Sequence, residues 1–185
     1  LNSCNKKKYI KFLKEKKISS IIFFHTMRNQ SVIYAAIELK IPYILVLTDY
    51  FLVCPKYSLI REDNVLCVNS ENNKLCKKIC GFENSVLKNR VNNAKIFLDF
   101  SKKIFLSSEI SKNNFSNHID LDKEKIEIVD YGTDFIKDKN IKSKNKLHKV
   151  IKIAYFGSFI ETKGVSKLLE LIDDLNENYE VTFCG

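Results

Sequence analysis

Apolar residues along this chain fall into two alternating patterns. Residues 19–25 (SSIIFFH) and 43–50 (YILVLTDY) carry short unbroken apolar runs, as strands buried on both faces do. Around them, apolar residues recur at three- and four-residue spacing, the signature of helices with one buried stripe. Tyr9, Phe12 and Leu13 mark such a helix within 5–17. Residues 30–40 give a second, closed by Ile41-Pro42, and Val91, Ala94, Phe97 and Leu98 mark a third over 84–102. A strand at 103–108, a helix at 108–118 capped by Ser108 and a strand at 125–134 turning at Gly132 follow. Strands alternating with helices predict an α/β fold, with a parallel sheet joined by right-handed crossovers.

Two segments break this rhythm. Residues 51–82 are a long irregular insertion holding Cys54, Cys67, Cys76 and Cys80. Loops of that length are usually functional or stapled. Residues 136–149 are polar and lysine-rich and read as a linker. The alternation then resumes with a strand from 150, a helix at 163–179 with Val165, Leu168, Leu169 and Ile172 on one face, and a strand at 180–184. The expected organisation is a first α/β domain over 1–135, the linker, and the first β-α-β unit of a second domain over 150–185. The chain opens on Leu1 and ends at Cys184-Gly185, where a strand would meet its next loop, so an internal piece of a longer protein is expected.

Composition narrows the partners. The 45% hydrophobic content is enough for a globular core. No apolar run approaches the length that spans a bilayer. The net charge of +9 makes an anionic membrane surface or nucleic acid a candidate partner. The lysines are spread along the chain among Asn and Ile, however, and there is no RNP motif and no arginine-rich run. A generic basic surface is the simpler reading, and nucleic acid is not expected.

Three groups of residues could carry chemistry. His25 and Asp49 each stand at the end of a predicted strand, where parallel sheets present ligand-facing residues. The bland alternatives are a locally hydrogen-bonded histidine and a turn-capping aspartate. In AYFGSFIETKG, Gly157 ends a strand and Lys163-Gly164 opens a helix. A lysine beside a helix N-terminus suits a phosphate or diphosphate, although the spacing is neither a Walker A loop nor G-x-G-x-x-G. Taken alone, this segment reads more readily as a plain strand-to-helix connection with an exposed lysine. The cysteines, spaced C-x12-C-x8-C-x3-C, suit a tetrahedral structural zinc; the alternative is reduced thiols packed as small hydrophobes. A catalytic zinc is not expected, because no His or Glu joins the cluster.

Taken in order, these segments resemble glycosyltransferase family 4, the retaining nucleotide-sugar transferases of GT-B fold. GSFIETKGVSKLLELI is similar to the family's G-R-L-x-x-x-K-G and following helix, with Gly157, Lys163 and Gly164 in place and Ser158 where the family has arginine. IPYILVLTDYFLVCP resembles its I-P-hydrophobic-T-x-H-D-Y-W-x-x-C-P segment, with Asp49, Tyr50, Cys54 and Pro55 matching and Thr48 in place of histidine. KIFLSSEISKNNF and KIEIVDYGTD, which keeps Gly132 and Asp134, follow in order, so the likeness covers roughly 19–185.

The resemblance implies two Rossmann-like domains facing each other across a cleft. It implies transfer of a sugar from a nucleotide-diphosphate donor to an acceptor hydroxyl, with retained configuration and no catalytic metal or other cofactor. Gly157, Ser158, Lys163 and Gly164 would meet the donor diphosphate, and Asp49 and His25 would line the acceptor side. The acceptor would be a glycan or a lipid-linked sugar in cell-surface polysaccharide synthesis. The expected location is cytoplasmic, with peripheral association at the inner membrane face. The family's acidic E-x7-E pair lies beyond residue 185, so these 185 residues are expected not to transfer sugar by themselves. The alternatives are a non-catalytic transferase-like partner subunit and a zinc-stabilised basic nucleic-acid-binding module.

Overall fold

The computed structural model describes residues 3–71, 73–130, 132, 150–174 and 178–185. The chain divides into two units, Leu1–Thr133 and Asp134–Gly185. The expected linker 136–149 and Asp134 lie outside the described residues.

The first unit begins with α1 (Ser3–Glu15), β1 (Ile21–Phe24), α2 (Gln30–Glu38) and β2 (Tyr43–Leu47). The cysteine segment follows and contains a short α3 (Lys74–Lys78). Then come α4 (Asn84–Phe100), β3 (Lys103–Leu106), α5 (Glu109–Ser116), a 3-10 turn and β4 (Ile126–Ile128). The four strands pair in sequence order, all parallel. The α/β class with a parallel sheet is therefore observed.

Burial on both faces is not observed. A sheet whose strands follow one another in order, with right-handed crossovers, sends every connecting helix to the same side. The buried strand residues Phe23, Tyr43, Leu45, Leu47, Ile104 and Leu106 accordingly share one core with Ile33 and Ala36 of α2, Ala94, Phe97 and Leu98 of α4 and Phe115 of α5. The other face is partly open, and Ile22 and Phe24 are 59% and 62% exposed. Register sets Ile22 beside Ile44 and Phe24 beside Val46, and Val46 in turn beside Phe105.

β2 also ends earlier than its apolar pattern suggests. Thr48, Asp49 and Tyr50 have left the strand, and the Asp49 carboxylate accepts the Phe51 N–H at 2.9 Å, turning the chain into the insertion.

The C-terminal carbonyls of α4 have no partners within the helix. The buried Tyr43 hydroxyl donates to Phe97 O (2.7 Å), the Ser101 hydroxyl to Leu98 O (2.7 Å) and Lys125 Nζ to Asp99 O (2.7 Å). Burial, reinforced by the Asp99 charge, raises the Tyr43 pKa above that of an ordinary tyrosine. Folding therefore favours the neutral phenol. That contribution is complete below the unfolded-state value of about 10 and is lost as pH rises through the higher folded value. Urea midpoints should fall above about pH 10, and Tyr43→Phe should flatten that fall while costing about 1 kcal/mol at neutral pH. An unchanged alkaline slope in Tyr43→Phe would remove the assignment.

The second unit has β5 (Ile151–Phe156), a 3-10 turn (Glu161–Lys163), α6 (Val165–Asp173) and β6 (Tyr179–Cys184), with β5 and β6 parallel over six residue pairs. Tyr155, Phe159 and Phe183 pack at ring separations of 5.9–6.1 Å. No described residue of α6 is buried, and Leu169 and Leu171 are exposed.

Candidate functional site

Parallel strands bring His25 and Asp49 together. β1 and β2 are neighbours in register, so the residues just past their carboxyl ends emerge side by side. His25 Nδ1 lies 2.8 Å from Asp49 Oδ2, and Thr48 Oγ1 is 3.3 Å from the same nitrogen. His25 adopts a left-handed backbone (φ +67°) that β-carbon-bearing residues seldom take, and Asn29 Nδ2 donates to its carbonyl at 2.7 Å. Asp49 is held by both oxygens: one accepts the Phe51 N–H and the other faces the imidazole. With Nδ1–H donating to the carboxylate, the opposite nitrogen, Nε2, is the proton acceptor. The His25 side chain is 58% exposed and that of Asp49 18%, so the pair meets solvent through the imidazole.

Beside this pair, a cavity of about 70 Å³ opens at the ends of β2 and β3, lined by Thr48, Asp49, Tyr50, Ser107 and Ser111 among others. Ser108 caps α5 by accepting the Ser111 N–H at 3.1 Å, and Asn114 Nδ2 donates to Tyr50 Oη at 2.9 Å. Tyr50 matches the family-like segment, whereas Ser107, Ser111 and Asn114 carry no signal of their own in the sequence. The Ser107-Ser108 pair at a predicted strand end was the available signal.

A larger cavity of about 370 Å³ lies between α2, α4 and the turn after β2, with Gln30, Phe51, Asn89, Arg90, Asn93 and Phe97 on its walls. The Arg90 guanidinium sits 4.3 Å from the centre of the Phe51 ring and donates to Phe51 O. Its Nε is buried with no hydrogen-bond partner.

In the second unit, Gly157 (φ +154°) donates its N–H to Cys184 O at 3.0 Å, and the Tyr155 hydroxyl donates to Ser158 O at 3.0 Å. Gly157 thus ends β5 in a conformation that favours glycine, and a Cβ there would come within 3.1 Å of the Tyr155 hydroxyl. The helix starts later than the sequence suggests. Glu161–Lys163 form the 3-10 turn, and Gly164, left-handed at φ +76°, precedes α6 without a side-chain cap. The Lys163 side chain is exposed and in no ion pair among the described residues. One acidic group shares this helix end, because the Glu161 carboxylate accepts the Ser166 hydroxyl.

The four insertion cysteines share one small cavity whose walls include all four, with Leu59 and Phe82. Cys67 and Cys76 are buried, Cys54 and Cys80 half-buried, and all four are thiols. Among the described residues, no three His, Cys, Asp or Glu side chains as placed form a group that could hold a metal ion. His118, to which the sequence assigned no role, contacts Cys67 O through Nε2 at 2.9 Å, with its Nδ1 buried and unpartnered. No described helix is long and apolar enough to cross a membrane.

No family model matches this chain, and no curated protein matches it. Among solved structures it is similar to the S. aureus MnaA-UDP co-structure, at 12% identity and a TM-score of 0.43, over 99% of this chain and 44% of that one. It is also similar to the UDP-N-acetylglucosamine 2-epimerase from Rickettsia bellii, at 12% identity and a TM-score of 0.44, over 97% of this chain and 42% of that one. The chain thus spans less than half the length of either, and likeness at this level carries no functional inference.

Proposed function

We propose that this chain belongs to a retaining glycosyltransferase of GT-B type. It would move a sugar from a nucleotide-diphosphate donor to an acceptor hydroxyl of a glycan or lipid-linked sugar. The observation that carries the reading is the His25–Asp49 pair at the carboxyl ends of adjacent parallel strands. It joins two residues that the family-like segments assign to the acceptor side. His25 also supplies an imidazole within 3.3 Å of Thr48, the position where the family has its histidine.

In this reading the first unit serves the acceptor. Asp49 holds the His25 tautomer, and Nε2 orients the attacking hydroxyl by accepting its hydrogen bond. The second unit serves the donor. Negative charge grows on the diphosphate as the glycosidic bond breaks, and Lys163 with the first N–H groups of α6 would stabilise it. Ser158 adds a hydroxyl without a charge. The basic surface suits peripheral contact with an anionic membrane at the cytoplasmic face. A second reading, a non-catalytic transferase-like partner, is favoured by Glu161, whose carboxylate stands where the diphosphate would bind.

Titration with UDP, GDP and their sugars, on protein carrying an intact second domain, separates the two readings. Lys163→Ala should weaken nucleotide-sugar binding about tenfold, and Glu161→Gln should strengthen it. Binding by Lys163→Ala as tight as the parent's would discard the diphosphate role. Absence of binding by the parent across the panel would favour the partner reading.

A further inference from the structure

Residues 51–82 must hold a long segment in place with little apolar material. α3 spans only five residues, and among the described residues the one isolated bridge pairs Ile60 with Leu66. Within this segment, cysteines from four separate points line one cavity. Cys54 leaves the turn after β2, its N–H donating to Tyr50 O at 2.8 Å. Cys67 is tied back by its N–H to Leu59 O at 2.7 Å and by His118 to its own carbonyl. Cys76 lies in α3, where its carbonyl accepts the Phe82 N–H at 3.1 Å, and Cys80 ends the same excursion. All four line a cavity of about 10 Å³, too small for more than about one water. It is walled mainly by apolar groups.

One cation lines the cavity as well: Arg61, which Asp63 takes in a two-pronged pair of 2.9 and 2.6 Å. Four thiolates on a divalent ion carry a net charge of about −2, and Arg61 stands beside it.

We infer that Cys54, Cys67, Cys76 and Cys80 form a structural zinc site that fastens residues 51–82 together beyond the carboxyl end of β2. On binding, each thiol releases its proton to solvent and its sulfur takes one tetrahedral position. The ion draws together side chains that already ring one cavity but do not yet converge. The site is independent of sugar transfer and stands whether or not that reading holds.

The test is metal analysis of the purified chain. It should carry about one zinc per chain. Cobalt in its place should give the sulfur-to-cobalt charge-transfer and tetrahedral ligand-field bands of a four-thiolate site. Cys67→Ser or Cys76→Ser should abolish stoichiometric metal, and Cys184→Ser, in exposed β6, should leave it intact. If a cysteine variant fails to fold, the parent's stoichiometry and cobalt spectrum still decide. Metal-free parent with four reactive thiols and a protease-resistant 51–82 segment would overturn the site. So would a disulfide between any two of the four, or cobalt bound without thiolate bands.

Discussion

Phe97→Ala is expected to cost about 3–5 kcal/mol of folding stability. The side chain is fully buried in the core shared by α2, α4 and the sheet. Its ring meets Tyr34 edge-on at 5.0 Å and 70°, a geometry that adds to simple area burial. The site also cannot readily collapse after truncation. Phe97 forms part of the wall of the 370 Å³ cavity, so losing the ring would enlarge an existing space rather than let neighbours close in. Unfolding in urea, followed by circular dichroism, should show a lower midpoint with an unchanged slope. A loss below about 1 kcal/mol would mean that α4 does not anchor this core as described.

Asp49→Asn is expected to lower sugar transfer by about 10²–10⁴-fold in protein with an intact second domain, while stability and nucleotide-sugar affinity stay near the parent's. The substitution separates two duties of one carboxylate. An amide oxygen can still accept the Phe51 N–H, so the turn that ends β2 survives. The oxygen facing His25 Nδ1 at 2.8 Å is replaced by an amide NH2, which cannot accept the Nδ1–H. The imidazole then loses the carboxylate oxygen that fixes its tautomer. The rate should fall without a matching loss of donor binding. If Asp49→Asn transfers sugar at the parent rate, the carboxylate serves only the turn.

The elements that could be read from sequence were those with local signals. β1 and β2 are unbroken apolar runs, Pro42 ends α2, and Ser108 caps α5 with the expected hydrogen bond. The sidedness of the sheet was not legible, because an apolar run looks alike whether one or both faces are covered. Only strand order decides that. His25 and Asp49 were legible as strand-end residues, but their 2.8 Å contact depends on β1 and β2 being neighbours in register. Arg90 was invisible for the opposite reason. In a helix rich in Asn and Lys it reads as a solvent-facing cation, and its role comes from Phe51, 39 residues away. The delayed start of α6 follows from Gly164, whose left-handed backbone closes the 3-10 turn before the helix can begin.

The partly open side of the sheet also bears on how molecules of this chain treat each other. Ile22 and Phe24 give each molecule an apolar strip that another could cover, and the net charge of +9 keeps such strips apart. Added salt screens that repulsion within a Debye length of about 10 Å at 0.1 M while leaving the apolar attraction in place. The colloidal behaviour of the chain is thus set by a balance that ionic strength tips toward self-association, and dilute, low-salt conditions keep its molecules separate.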